Sequence, residues 1–145
     1  MARFYSIDDA NARLVELRPL LERLRAQRAD LVQLRDLAVE RISAIEVRGE
    51  GTSGRGGGTT REDDAELRRI RMRMQGIVDQ MQAAVTQIDD WGITLRDIES
   101  GLIDFPALVS GRQVWLCWRL GEEDVAWWHE LSTGFGSRAP LAELT

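Results

Sequence analysis

The sequence predicts a mainly α fold, a long antiparallel helical hairpin of the coiled-coil kind with a small C-terminal β-hairpin module docked at its base. Apolar residues recur at spacings of three and four over 7–48 and again over 61–99. The segment between them, "GEGTSGRGGGTT", has no large apolar side chain, and the pattern turns strand-like only after Gly111. A chain of 145 residues has room for one core, so a single domain is expected over 1–145.

Helix one is expected over 7–48. Ser6 followed by Asp9 imitates a capping box, so the helix begins near Ile7. Ala10, Leu14, Leu17, Leu21, Leu24, Leu31, Ala38, Ile42 and Ile45 form its stripe, interrupted by Arg28 and Arg35. Pro19 lies more than two turns inside and should kink the helix or mark a late start. Residues 49–60 are half glycine and cannot offset their ordering entropy by burial, so a flexible linker is expected there. A phosphate-cradling loop would require a lysine that the chain lacks.

Helix two is expected over 61–99, capped by Thr60 and Asp63. Its seam of Leu67, Ile70, Met74, Ile77, Met81, Ala84, Ile88, Trp91, Leu95 and Ile98 never misses the three-four spacing. Met74 and Met81 share that seam and Met72 does not, which favours packing over a thioether copper site. Folding back brings the start of helix one and the end of helix two together, so the module at 101–145 should dock there on Phe4, Tyr5 and Trp91. Gly101 reads as a helix stop, and "SGLIDFPALVSG" as an irregular turn constrained by proline.

"RQVWLCWRL" and "VAWWHEL", separated by "GEED", read as a β-hairpin holding four of the five tryptophans, the one cysteine and the one histidine. A loop at 121–124 sets Leu116 against His129 and turns Cys117 to the opposite face. A loop at 122–124 instead sets Cys117 directly against His129. Trp127 and Trp128 cannot both face inward on a regular strand, so at least one is exposed or covered by the tail.

Cys117, His129 and Glu130 have the donor types for a divalent metal such as zinc, with Glu122 nearby. One thiolate and one imidazole fall short of a closed site, so carboxylates must complete it. The plainer reading makes Cys117 a small buried hydrophobe and His129 a hydrogen-bonded orienting residue. A nucleophilic Cys–His pair would also need an oxyanion hole and a third orienting group. Arg112, Glu122 and Arg138 could line a polar pocket for an anionic ligand, against the plainer alternative of surface ion pairs. No other cofactor is predicted.

The net charge of −5 argues against nucleic acid as a partner. No apolar run approaches the ~20 residues of a membrane span, the start does not read as a signal peptide, and a lone cysteine suits a reducing compartment. A cytoplasmic protein is expected. All 19 basic residues are arginine, as biased codon usage in a GC-rich bacterial genome would produce.

The stretch "GLIDFPALVSGRQVWLCWRLGEEDVAWWHELSTGFGSRAPL" resembles the DUF2203 family of uncharacterised prokaryotic proteins, and "FYSIDDANARLVELRPLL" resembles that family's opening. By this resemblance Asp104, Arg112, Cys117, Trp118, Gly121, Glu122, Trp128, His129, Glu130, Phe135 and Arg138 occupy recognisable family positions. It implies no particular activity. Two functions follow from the residues themselves. One is a non-enzymatic interaction protein, a homo-oligomer or partner binder acting through the helical hairpin, favoured by Leu20, Leu34 and Leu37 off the main stripe. The other is a metal- or small-ligand-binding protein with its site around Cys117 and His129.

Overall fold

The computed structural model describes residues 3–50 and 60–144, without the side chains of 49 and 50. Most of the expected linker, 51–59, lies outside the described residues. Among the described residues two α-helices come first, α1 over Ile7–Glu50 and α2 over Arg61–Asp90. Five strands follow, β1 (Thr94–Asp97), β2 (Leu102–Val109), β3 (Arg112–Arg119), β4 (Trp127–His129) and β5 (Ala139–Pro140). Contacts divide the chain into two units, Met1–Ala26 with Gln82–Thr145, and Gln27–Met81. Among the described residues no helix is long and apolar enough to cross a membrane.

Both caps form. Ser6 Oγ accepts from Asp9 N at 3.0 Å. At α2 the box is reciprocal, with Asp63 N donating to Thr60 Oγ1 and Thr60 N to Asp63 Oδ2. Pro19 lies inside α1 and does not end it. It stands on the exposed face, where the carbonyl of Val15 that loses its partner can meet water.

Within Gln27–Met81 the two helices run antiparallel: Gln27 donates to Gln80 at 2.9 Å, Arg41 meets Glu66 at 3.0 Å, and Arg48 meets Asp63 at 2.9 Å. Leu67 and Ile70 are buried there.

The expected fold class needs correction. The C-terminal part is not a small β-hairpin module but a five-stranded antiparallel meander in the order β1-β2-β3-β4-β5, and it begins inside the segment expected to be helix two. The helix stops at Asp90 because Gly92, at φ 75°, reverses the chain. Ile93 N donates to Ile88 O and Gly92 N to Asp89 O, the paired bonds of a Schellman cap, with Ile88 and Ile93 both buried. Leu95 and Ile98 continue the three-four spacing by coincidence. Gly101 likewise ends no helix. At φ 68° it turns β1 into β2, and its carbonyl accepts from Leu120 N.

"DFPA" is strand and not an irregular turn. Pro106 is tolerated inside β2 because β1 pairs only with Leu102–Asp104, so the edge beside Pro106 is left for Tyr5, whose N–H donates to Pro106 O at 2.8 Å. Ser110 (φ 52°) and Gly111 (φ 77°) then form a two-residue turn of the primed kind between β2 and β3.

One face of the meander carries Ile103, Phe105, Ala107, Val114, Leu116 and Trp118, all at most 2% exposed. It packs in one core with Tyr5, Ala10, Leu14, Leu17, Leu21 and Leu24. The Tyr5 ring stands edge-on to Phe105 at 5.1 Å, and Arg18 lies over Trp118. Polar ties close the seam: Asn11 Oδ1 accepts from Val125 N, Arg18 donates to Glu123 O, and Arg25 donates to Glu99 O and Ser100 O. Of the expected floor residues, Tyr5 is buried and bonds the Trp91 carbonyl through its hydroxyl, Trp91 is half-buried, and Phe4 is exposed.

A Cβ at Gly101 would lie 2.5 Å from Leu120 Cβ, whereas one at Gly111 would meet nothing within 4 Å. Both positions have positive φ, so Gly111→Ala should cost about 1–2 kcal/mol for the left-handed backbone alone. Gly101→Ala adds overpacking and should cost about 2–4 kcal/mol. Urea unfolding of the two variants measures the difference, and equal losses would mean that the close approach at Gly101 carries no energy.

Candidate functional site

The second face of the meander holds the chemistry. The Ser110–Gly111 turn sets Asp104 opposite Cys117, and the β3–β4 ladder pairs Cys117 with Trp127 and Trp115 with His129. Neither register read from the sequence is present. The connection from β3 to β4 spans 120–126, longer than "GEED", because Val125 is buried and tied to Asn11 instead of pairing with Leu120. Cys117 and His129 nevertheless share a face, as diagonal neighbours, while Leu116 and Trp128 point to the other side.

Asp104, Cys117 and His129 are all at most 3% exposed, and their donor atoms lie within 4.8 Å of one another. Asp104 accepts from Arg96 Nε at 2.9 Å. His129 Nε2 lies 3.1 Å from Asp104 Oδ1 and 3.0 Å from Oδ2, and Nδ1 lies 2.8 Å from the Glu130 carbonyl. A carbonyl only accepts, so Nδ1 carries a proton. Nε2 then faces carboxylate oxygens, and either a proton shared between the two groups or a metal ion satisfies both sets of lone pairs.

Burial pushes the Cys117 thiol up to about 12, and the Asp104 charge adds to the effect, while Arg138 opposes it. An unassisted thiolate nucleophile is therefore not what the site holds at neutral pH.

Asp104 and Arg96 are the residues that sequence reasoning left out of the site. A two-residue turn at Ser110–Gly111 would have paired Asp104 with Cys117 by counting outward. Arg96 had no such signal, because a bulge between Leu95 and Asp97 aims it at the carboxylate. Its guanidinium also covers the Trp115 ring at 5.1 Å.

The other expected site residues separate into two pairs. Glu122 and Arg138 form a bidentate, half-buried ion pair at 2.8–3.0 Å. Arg138 covers Trp127 at 4.6 Å, so the tail roofs that tryptophan, and Glu122 Oε1 also accepts from Arg119 N. Arg112 goes elsewhere, pairing with Glu130 at 2.9 Å and lying over Trp128. The Glu130 carboxylate is thus engaged with Arg112, and what this residue gives His129 is its backbone carbonyl.

A cleft of about 260 Å3 opens beside the cluster, with Arg96, Asp104 and His129 in its lining together with Leu102, Leu131, Thr133, Gly134 and Phe135. Its mixed lining suits a small ligand with one polar end.

A family model described as "Uncharacterized conserved protein (DUF2203)" matches residues 3–141. No curated protein and no solved structure matches the chain.

At pH 8 a thiol at about 12 is ionised about one part in ten thousand, against about one in ten for an ordinary thiol at 9.0. Alkylation of Cys117 in the native protein should therefore run at least ~1000-fold slower than in the urea-unfolded chain. Native labelling within about tenfold of the unfolded rate would show the thiol exposed or activated.

Proposed function

The chain belongs to the DUF2203 family of uncharacterised conserved proteins, and since that description assigns no activity, we propose from the site itself that it binds a divalent metal of the zinc type at Asp104, Cys117 and His129. The observation that carries the proposal is the orientation of His129. Its Nδ1 is held by the Glu130 carbonyl, which turns Nε2 toward the Asp104 carboxylate where an ion would sit between them, and metal-binding histidines are ordinarily held by their other nitrogen in this way. The donor set of one thiolate, one imidazole and one carboxylate suits zinc.

Distances support the fit. Bonds of ~2.0–2.1 Å in a tetrahedron place nitrogen and oxygen donors about 3.3 Å apart. The 3.0–3.1 Å between His129 and Asp104 needs only a few tenths of an ångström of opening. A sulfur belongs about 3.6 Å from the other donors, so the 4.8 Å limit of the cluster asks Cys117 to close by at most about 1 Å. Arg96 on the second carboxylate oxygen acts as an outer partner that orients the ligand. Three protein donors leave a position for water or a small molecule, and the adjoining cleft is where such a molecule would come from.

Elemental analysis of tag-free protein should find close to one zinc per chain, reduced to background by His129→Ala and Asp104→Ala. Cobalt substitution should give thiolate-to-metal charge-transfer absorption that Cys117→Ser removes. Protein from several growth media that carries no metal, and that added zinc, cobalt, nickel or manganese does not stabilise against heat, would defeat the proposal. Saturating zinc at about 100 times its Kd should otherwise add about 2.7 kcal/mol.

Self-association through the helices is a second reading. It is favoured by apolar side chains left in solvent on α1, Val39 at 58% exposure and Ile42 at 40%.

A further inference from the structure

We propose that the chain forms a homodimer in which two α1 helices pair antiparallel along one stripe, about a two-fold axis level with Leu37. The proposal rests on the self-association reading and names its surface. Gln27, Arg41 and Arg48 mark the side of α1 that faces α2 within Gln27–Met81, through their bonds to Gln80, Glu66 and Asp63. About 100° round the helix, at spacings of four and three, runs a second stripe: Arg28, Val32, Arg35, Val39, Ile42 and Glu46. Val39 and Ile42 are exposed and Val32 is half-buried, so α2 does not cover this stripe.

The order of residues along the stripe points to a second copy as the occupant. A two-fold contact requires the surface to complement itself, each residue meeting its mate twice. Turned end for end about position 37, the stripe sets Arg28 against Glu46 of the second copy, Val32 against Ile42, and Arg35 against Val39. The first is an ion pair, the second an apolar pair, and in the third the aliphatic stem of arginine covers valine. A parallel pairing in register would instead stack Arg28 on Arg28 and Glu46 on Glu46, and like charges in contact destabilise, whereas Arg35 is already paired with Asp36 of its own chain at 3.2 Å. One helix face ~27 Å long, with six residues a side, is small against the ~800 Å2 per partner of a standard interface. The dimer is accordingly weak and is weakened further by salt.

Sedimentation equilibrium of the full chain, with helicity followed by circular dichroism, tests the pairing. A reversible dimer is expected. Val39→Glu should abolish it without loss of helicity, since that side chain already lies in solvent. Arg28→Glu and Glu46→Arg should each weaken it by about tenfold or more, and the two together should restore it, because the swap keeps the pair between the copies complementary whatever contact Arg28 makes within its own chain. Cys117→Ser should leave the dimer intact, which separates it from any metal. A strict monomer at every concentration would end the self-association reading and leave the stripe to a partner of different sequence. A dimer indifferent to Val39→Glu and to both charge reversals would keep self-association but remove it from this face.

Discussion

A carboxylate with 2% of its surface exposed sits in the middle of the sheet, and the surrounding strands are arranged to satisfy it. An uncompensated charge at Asp104 would cost several kcal/mol. Two strands supply its partners. β1 bulges at Arg96 so that a guanidinium reaches one oxygen, and β4 enters in the register that sets the His129 ring against both. Moving β4 by one residue would turn His129 toward the helices and bring Trp128 to Asp104. An indole N–H could bond a carboxylate, but the imidazole would then be buried among Leu116, Trp118 and Phe105, without an acceptor for either nitrogen. The buried charge therefore selects one sheet out of several that the apolar pattern would allow.

Much of the helical part was legible in the sequence because its causes are local. Ser6 with Asp9 and Thr60 with Asp63 act within three residues, and the structure places both helix starts where those caps put them. The end of α2 is equally local, yet a longer pattern concealed it. Leu95 and Ile98 fall on the three-four spacing that ends with Ile88, but Gly92 in the left-handed region, followed by buried Ile93, is a stop signal two residues wide. A periodicity that extends past a glycine is weaker evidence than the glycine. Given that stop, "ITLRDIE" and "LIDFPALV" read as strands, and the meander follows in place of a hairpin.

The site was half legible for a related reason. A two-residue turn fixes register by its own geometry, so Ser110–Gly111 contains the pairing of Asp104 with Cys117 in four letters of sequence. The β3–β4 connection has no such rule. Its length is set by Asn11, more than a hundred residues earlier, which bonds Val125 N and keeps that residue out of the ladder. No inspection of "GEED" could supply this. Both registers considered for that loop made Cys117 and His129 either directly opposed or on separate faces, and the diagonal arrangement lay outside both.

The same cluster can be a lock for the sheet or a metal centre, and the two roles differ in what they ask of each residue. A lock needs Asp104, His129 and Arg96, whose hydrogen bonds are complete without sulfur. Buried ion pairs of this kind specify an arrangement more than they stabilise it, since an apolar set of equal volume often does as well or better. For that purpose the position across from Asp104 requires only a small apolar side chain, and valine or alanine would serve. A metal centre needs a third donor there, and Cys117 supplies one on the correct face. Its burial, which keeps the thiol protonated in the free protein, also removes water that would compete for an ion once bound. The acid–histidine pair is compatible with both roles, so the sulfur at position 117 is the atom whose chemistry decides between them.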